Sequence, residues 1–213
     1  MWQGLHRLAL GVLAAVLALW ASIPDAGAQA QGPFVVLQTT KGPIVMKIFY
    51  NYVPNTAGNF LDLVSRGFYN GLTFHRVESW VIQGGDPNGN GTGDFIDPAT
   101  GRPRYLMLET NRFLKHNAPG VVAMAHAKNP NSGSCQFYIT KRAMPALDGQ
   151  YSIFGGVVKG MEVVYAIQPG DRIISAEIIQ PAGGGAGGPA PGARGAGRMG
   201  EPQPGQPVGD SGF

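Results

Sequence analysis

The sequence predicts a mainly β protein, an antiparallel sheet rolled into a closed or nearly closed barrel and accompanied by two helices. Three observations predict it. Short runs rich in β-branched and aromatic residues recur along the middle of the chain, Gly-rich turns separate them, and only two segments show helical spacing.

Taken in order, Phe34-Val35-Val36-Leu37-Gln38-Thr39-Thr40 and Ile44-Val45-Met46-Lys47-Ile48-Phe49 flank Lys41-Gly42-Pro43, which reads as a hairpin. Pro54 and Asn55 open a helix that carries Phe60, Leu61, Leu63 and Val64 at helical spacing, and Gly67 stops it. Short strands follow near residues 74–77, 80–84, 120–125, 136–140 and 152–158. A last helix near 161–168 leads into a strand from Ile173 to Ile179.

The two ends of the chain read differently from this middle. His6-Arg7 precedes an apolar stretch from Leu8 to Ala21, the length of a signal-peptide core and too short for a comfortable membrane span. Ala26-Gly27-Ala28 and Ala28-Gln29-Ala30 both fit the small-x-small cleavage pattern. Residues 1–30 are therefore expected to be a signal peptide removed after Ala28 or Ala30. The mature chain would be periplasmic or secreted, with no stable membrane insertion. After Gln180 the composition turns to Gly, Pro and Ala, which bury too little surface to offset chain entropy, so residues 181–213 are expected to be a disordered tail. One folded domain, residues 31–180, remains.

Charge and metal-ligand chemistry exclude several function classes. The formal charge is +3, and the 16 Lys and Arg residues form no basic stripe, which argues against a nucleic-acid partner. His6, His75, His116 and His126 form no close pair with one another or with the single cysteine, Cys135, so no zinc-like spacing exists and no metal is expected. Cys135 cannot form an intramolecular disulfide and reads as a small buried hydrophobe. A monomer is expected.

The chemistry concentrates in Phe74-His75-Arg76-Val77 and Val81-Ile82-Gln83-Gly84-Gly85-Asp86, followed at once by Gly89-Asn90-Gly91-Thr92-Gly93. An Arg and a Gln sit among apolar and aromatic residues, with no Ser-His-Asp set or phosphate loop nearby. Such a site binds and donates hydrogen bonds but offers no nucleophile, which points to a reaction in which no bond is made or broken. Alternation along a strand sends His75 and Arg76 to opposite faces, so at most one of them lines a groove.

With Ser134-Cys135-Gln136-Phe137-Tyr138-Ile139 and Leu147-Asp148-Gly149 following in order, these segments resemble the cyclophilin-type peptidyl-prolyl cis–trans isomerases, here of a bacterial exported type. The resemblance spans about residues 34–179. It implies a closed eight-stranded antiparallel barrel capped by two α-helices, no cofactor, and action on X-Pro bonds of unfolded or partly folded exported polypeptides. By resemblance Arg76 is the catalytic donor and Gln83 holds the substrate backbone near the twisting carbonyl. Trp80, Val81, Tyr138 and Leu147 match the proline pocket, Gln136 a second polar wall, and Met124, Ala125 and His126 a segment that pairs with the substrate backbone. Tyr138, Val81 and His126 stand where Phe, Met and Asn are frequent. Ala146 occupies the place of a Trp found in many eukaryotic members, and Tyr151, also at the groove, that of a His. These departures bear on substrate preference and on sensitivity to the macrocycle cyclosporin.

Overall fold

The computed structural model describes residues 32–179; the signal peptide expected at 1–30 and the tail expected at 181–213 lie outside them. The elements in order are β1 (Phe34–Thr39), β2 (Gly42–Ile48), α1 (Pro54–Ser65), β3 (Phe74–Val77), β4 (Val81–Gly84), β5 (Ile96–Asp97) and β6 (Arg102–Pro103). β7 (Val121–Met124), β8 (Phe137–Thr140), a 3₁₀ turn (Pro145–Leu147), β9 (Ile153–Lys159), α2 (Met161–Ala166) and β10 (Ile173–Ile179) complete the fold. Eight strands form one sheet in the order β10-β1-β2-β9-β7-β8-β4-β3, with antiparallel pairing throughout.

The sheet curls until the segments leading into its two edge strands lie side by side. Thr73, just before β3, bridges Arg172, just before β10. Backbone bonds from Phe74 N–H to the Asp171 carbonyl and from Ile173 N–H to the Leu72 carbonyl run along the same seam, at 2.8 and 2.9 Å. The eight strands and two helices expected from the sequence are all present. Among the described residues no helix is long and apolar enough to cross a membrane.

Helix α1 shows why its sequence is helical where it is. Pro54 occupies the first turn, where a missing N–H costs nothing, and Thr56, Ala57, Phe60, Leu63 and Val64 bury one face. At its end Gly67 adopts φ 67°, its N–H donates to the Val64 carbonyl, and Phe68 N–H donates to the Leu63 carbonyl. That paired closure needs the left-handed residue that glycine provides. The buried Phe60 ring lies 4.7 Å from Phe154, 5.1 Å from Tyr69 and 5.5 Å from Phe137 between ring centroids, which joins α1 to the sheet interior. The other end is capped from a distance: the Glu109 carboxylate accepts from the backbone N–H groups of Thr56 and Asn55, at 2.8 and 3.3 Å.

Small differences from the sequence reading have local causes. The hairpin turn is Thr40-Lys41, so Gly42 and Pro43 already belong to β2, opposite Thr39 and Gln38. Pairing of β2 with β9 begins only at Val45, so the missing N–H of Pro43 breaks no ladder bond. The β5–β6 hairpin has two residues per strand, too short to show any period.

Asp86, 1% exposed, organises the glycine loop. Its carboxylate accepts from the backbone N–H groups of Asn88, Asn90 and Gly93 at 2.8–2.9 Å, and from that of Gly91. Only glycine fits at position 93, where a Cβ would lie 2.1 Å from an Asp86 carboxylate oxygen. Burial pushes the Asp86 carboxyl up, but the four backbone donors outweigh it and hold it below its ordinary value. A depressed folded-state value means that the stabilisation is present above the unfolded-state value and is lost as pH falls through the folded one. Asp86→Asn should therefore cost about 2 kcal/mol at neutral pH, the scale of hydrogen bonds to a charged group. Its stability should also fall less than wild type's between about pH 6 and about pH 3 in denaturant titrations; equal slopes would contradict the assignment.

Candidate active site

One face of the sheet carries a line of polar side chains whose directions are all determined. The Gly93 carbonyl can only accept, so Gln136 presents its amide N–H₂ there, at 2.9 Å. Its Oε1 then faces Gln83, which donates from Nε2 at 3.0 Å. That turns the Gln83 Oε1 toward Arg76, whose Nη1 donates to it at 3.2 Å. Strand pairing supplies the spacing, since Arg76 sits opposite Gln83 on β3–β4 and Gln83 opposite Tyr138, next to Gln136, on β4–β8.

Arg76 is fixed from its other side by Glu78, which sequence reasoning missed. Glu78 accepts from Arg76 Nε at 2.7 Å and from Trp80 Nε1 at 2.6 Å. The guanidinium carbon lies 5.1 Å from the centre of the Trp80 ring. The hydrogen bond from Arg76, ahead of the cost of burial, holds the Glu78 carboxyl below its ordinary value. Glu78 and Gln83 together occupy two of the five N–H donors of a guanidinium, which leaves three with no partner among the described residues.

The register of β3 against β4 slips between Phe74 and Arg76, so His75 is the extra residue of a bulge and simple alternation does not govern it. The functional consequence stands: Arg76 is exposed on the groove, and the His75 ring lies by the glycine loop, both nitrogens buried without a partner. Burial lowers the His75 pKa, Asp86 opposing and Arg76 adding to the shift.

Beside this polar line is an apolar cluster. Buried Val81, Ala123, Tyr138 and Ile153 form its centre, and Trp80, Ala125, Leu147 and Tyr151 pack around them. Tyr151 meets Tyr138 edge-on at 5.5 Å and stacks on His126 at 4.4 Å. The two His126 ring nitrogens lie 2.7 Å from the carbonyl oxygens of its neighbour Ala127 and of Gln150, which brings the Gln150 backbone against His126. The Tyr138 hydroxyl turns away from the groove to buried His116. Ala146 is exposed on the 3₁₀ turn at the rim. A cavity of about 240 Å³ continues the groove past Gln83, Gln136, Ala125 and His126 to Asp94 and Tyr105.

The structure thus brings Arg76, Trp80, Val81, Gln83, Ala125, His126, Gln136, Tyr138, Leu147 and Tyr151 to one groove. Met124, expected in a segment that pairs with the substrate backbone, turns its side chain the other way. Its side chain is 3% exposed and belongs to the main core with Phe137, its partner across β7–β8, so it has no side chain to offer the groove. Among the described residues no group of three or more His, Cys, Asp or Glu is placed to hold a metal ion.

Comparison with known proteins gives a consistent result. Residues 34–181 match the family described as cyclophilin type peptidyl-prolyl cis-trans isomerase/CLD. The Arabidopsis thaliana peptidyl-prolyl cis-trans isomerase CYP18-2 is 42% identical over 136 residues, 62% of this chain and 78% of the plant protein. The mouse peptidyl-prolyl cis-trans isomerase-like 1 is 38% identical over 135 residues, covering 63% and 78%. A crystal structure of a Cryptosporidium parvum cyclophilin type isomerase superposes with a TM-score of 0.63 at 31% identity, over 69% of this chain and 97% of that one. The same parasite protein, crystallised in the presence of the dipeptide Ala-Pro, superposes with a TM-score of 0.58 at 32% identity, over 69% and 95%.

Cys135 lies behind this site, fully buried, and its backbone carbonyl accepts from the Tyr69 hydroxyl at 3.0 Å. Burial pushes its thiol up to about 12, so almost no thiolate forms near neutrality. A disulfide reagent at about pH 8 should leave the native thiol unmodified and titrate one equivalent only after denaturation; rapid native labelling would contradict this.

Proposed function

The chain belongs to the cyclophilin-type peptidyl-prolyl cis–trans isomerases, and from that premise we propose how its groove turns an X-Pro bond and on which polypeptides it acts. Rotation about the bond must break amide resonance, a barrier of about 18–20 kcal/mol, so uncatalysed exchange takes roughly tens to hundreds of seconds. In the twisted state the prolyl nitrogen regains its lone pair and accepts a hydrogen bond that the planar amide accepts poorly. A donor aimed there stabilises the transition state more than the ground state, which is the condition for acceleration.

Arg76 is that donor. The observation that carries this reading is its fixed guanidinium, held by Glu78 and Gln83 beside an apolar pocket. A pre-set charge costs no reorganisation when the amide twists. Gln83 commits one amide N–H to Gln136 and keeps the other for the substrate carbonyl. Val81, Tyr138, Leu147 and Tyr151 receive the proline ring, a role supported by the parasite relative's crystallisation with Ala-Pro. No proton moves, so His75 and Cys135 take no part.

Arg76→Ala should lower kcat/KM for a short X-Pro peptide by roughly a hundredfold or more with the fold intact, as expected from losing a donor worth about 2.7–4 kcal/mol. Exchange NMR measures it; an unchanged rate in the folded variant would remove Arg76 from the mechanism.

The natural substrates are, in this reading, exported polypeptides of a bacterium, on which the domain of residues 31–180 acts as a monomer. Support comes from the first thirty residues, with their basic start, apolar core and small-residue cleavage pattern. Mass spectrometry of the chain recovered outside the cytoplasm should find the N-terminus at Gln29 or Gln31; a chain kept inside and starting at Met1 would refute export.

A further inference from the structure

We propose that His116 is a positioning residue that sets the width of the proline pocket by holding Leu147 at a fixed distance from Tyr138. The proposal rests on the reading of that pocket as the proline site. His116 is fully buried and belongs to neither wall, yet it is bonded to both.

On one side stands Tyr138, on a central strand and paired with Gln83 and Ala123. Its hydroxyl lies 2.9 Å from His116 Nε2, and the two rings stack with centroids 6.0 Å apart and planes 17° from parallel. On the other side is the 3₁₀ turn that carries Leu147. The Met144 N–H donates to the His116 carbonyl at 2.6 Å. Asp148 Oδ1 accepts from the His116 backbone N–H at 2.7 Å and faces His116 Nδ1 at 3.2 Å.

The remaining hydrogen bonds of this turn are local. Leu147 N–H donates to the Met144 carbonyl, Asp148 N–H to the Pro145 carbonyl, and Gln150 reaches back to the carbonyls of Leu147 and Ala146. Among the described residues, every hydrogen bond from Met144–Gly149 to the body beyond ends on His116. The wall bearing Leu147 is thus hydrogen-bonded to the body through His116, with a longer ion pair from Asp148 to Lys115 at 3.8 Å beside it.

The proton arrangement is determined as well. A carboxylate can only accept, so His116 Nδ1 carries the hydrogen, and Nε2 is left to accept from the Tyr138 hydroxyl. Burial, the largest influence on His116, favours the neutral ring this requires, with Asp148 opposing it. The strut Tyr138–His116–Asp148 thus spans the base of the pocket, with every member bonded. It fixes a gap between one wall on the sheet and one wall on a turn whose direct hydrogen bonds to the body all run to His116. A gap so defined discriminates by ring size.

The test compares two peptides identical but for proline or its six-membered homologue, pipecolic acid, in exchange NMR on the full chain. One extra methylene in a fitted apolar pocket is discriminated by roughly tenfold or more, so wild type should favour proline by that ratio of kcat/KM. His116→Asn keeps a group near Nδ1 and loses the bond to Tyr138. Asp148→Ala releases the turn and, being at a partly exposed side chain, guards against failure of the buried variant to fold. Either should reduce the preference at least about threefold, a large part of what one methylene is worth. The loss should fall on KM more than on kcat, since Arg76 is untouched and ring contacts are made in ground and transition states alike. Asp148→Asn, which retains an oxygen acceptor for both His116 donors, should restore the wild-type ratio. If wild type prefers proline and the folded variants prefer it equally, His116 does not set the gap and the proposal fails while the pocket assignment survives. If wild type does not distinguish the rings, the pocket assignment itself fails and the proposal falls with it.

Discussion

The active site is oriented from one buried carboxylate. Asp86 gathers four backbone N–H groups, including that of Gly93, and so holds in place the residue whose carbonyl receives Gln136. From that carbonyl the directions of Gln136, Gln83 and Arg76 follow in turn, because each amide has one end that donates and one that accepts. An exposed arginine on a strand would ordinarily sample many rotamers. Here its freedom is removed by a chain of bonds that begins in a loop with no catalytic group of its own. Glu78 and Trp80 complete the restraint from the solvent side.

This arrangement suits a reaction without proton transfer. The groups capable of acid–base or nucleophilic work near the groove are kept out of use: the His75 ring nitrogens are enclosed, the Cys135 thiol is held neutral, and His116 is occupied by partners. What faces the groove beside Arg76 is two amides, apolar surface and the His126 ring, whose nitrogens lie against backbone carbonyls. Electrostatic complementarity to a twisted amide needs nothing more.

Much of this was legible in the sequence. Strand and helix positions followed from apolar periodicity, and Pro54 and Gly67 marked the ends of α1 through backbone constraints that are purely local. The groove residues followed from motifs, and motifs preserve side-chain identity at fixed register. What was not legible depended on groups distant in sequence or on one-residue irregularities. Glu109 caps a helix that begins 54 residues before it, counted from Asn55. The slip at His75 breaks alternation without any Gly or Pro to announce it. Met124 was placed in a segment expected to pair with the substrate backbone, and which way its side chain points shows only once period-two alternation along β7 is fixed, sending it to the core and Ala123 to the opposite face. Glu78 and His116 carried no signal beyond their neighbours, because their roles exist only once Trp80, Tyr138 and Asp148 are brought beside them.

The pairing of β1 with β10, Phe34 opposite Ile179, has a kinetic meaning. The first strand of the sheet finds its outer partner in the last, so the seam is among the longest-range contacts the fold contains. Every groove residue from Arg76 to Tyr151 lies between those two strands in the chain. A polypeptide made or threaded N-terminus first therefore presents β1 with an unsatisfied edge until β10 arrives. Such non-local pairing raises contact order, which slows folding in general. An enzyme that relieves one slow step in other chains is itself a chain whose assembly waits on its end.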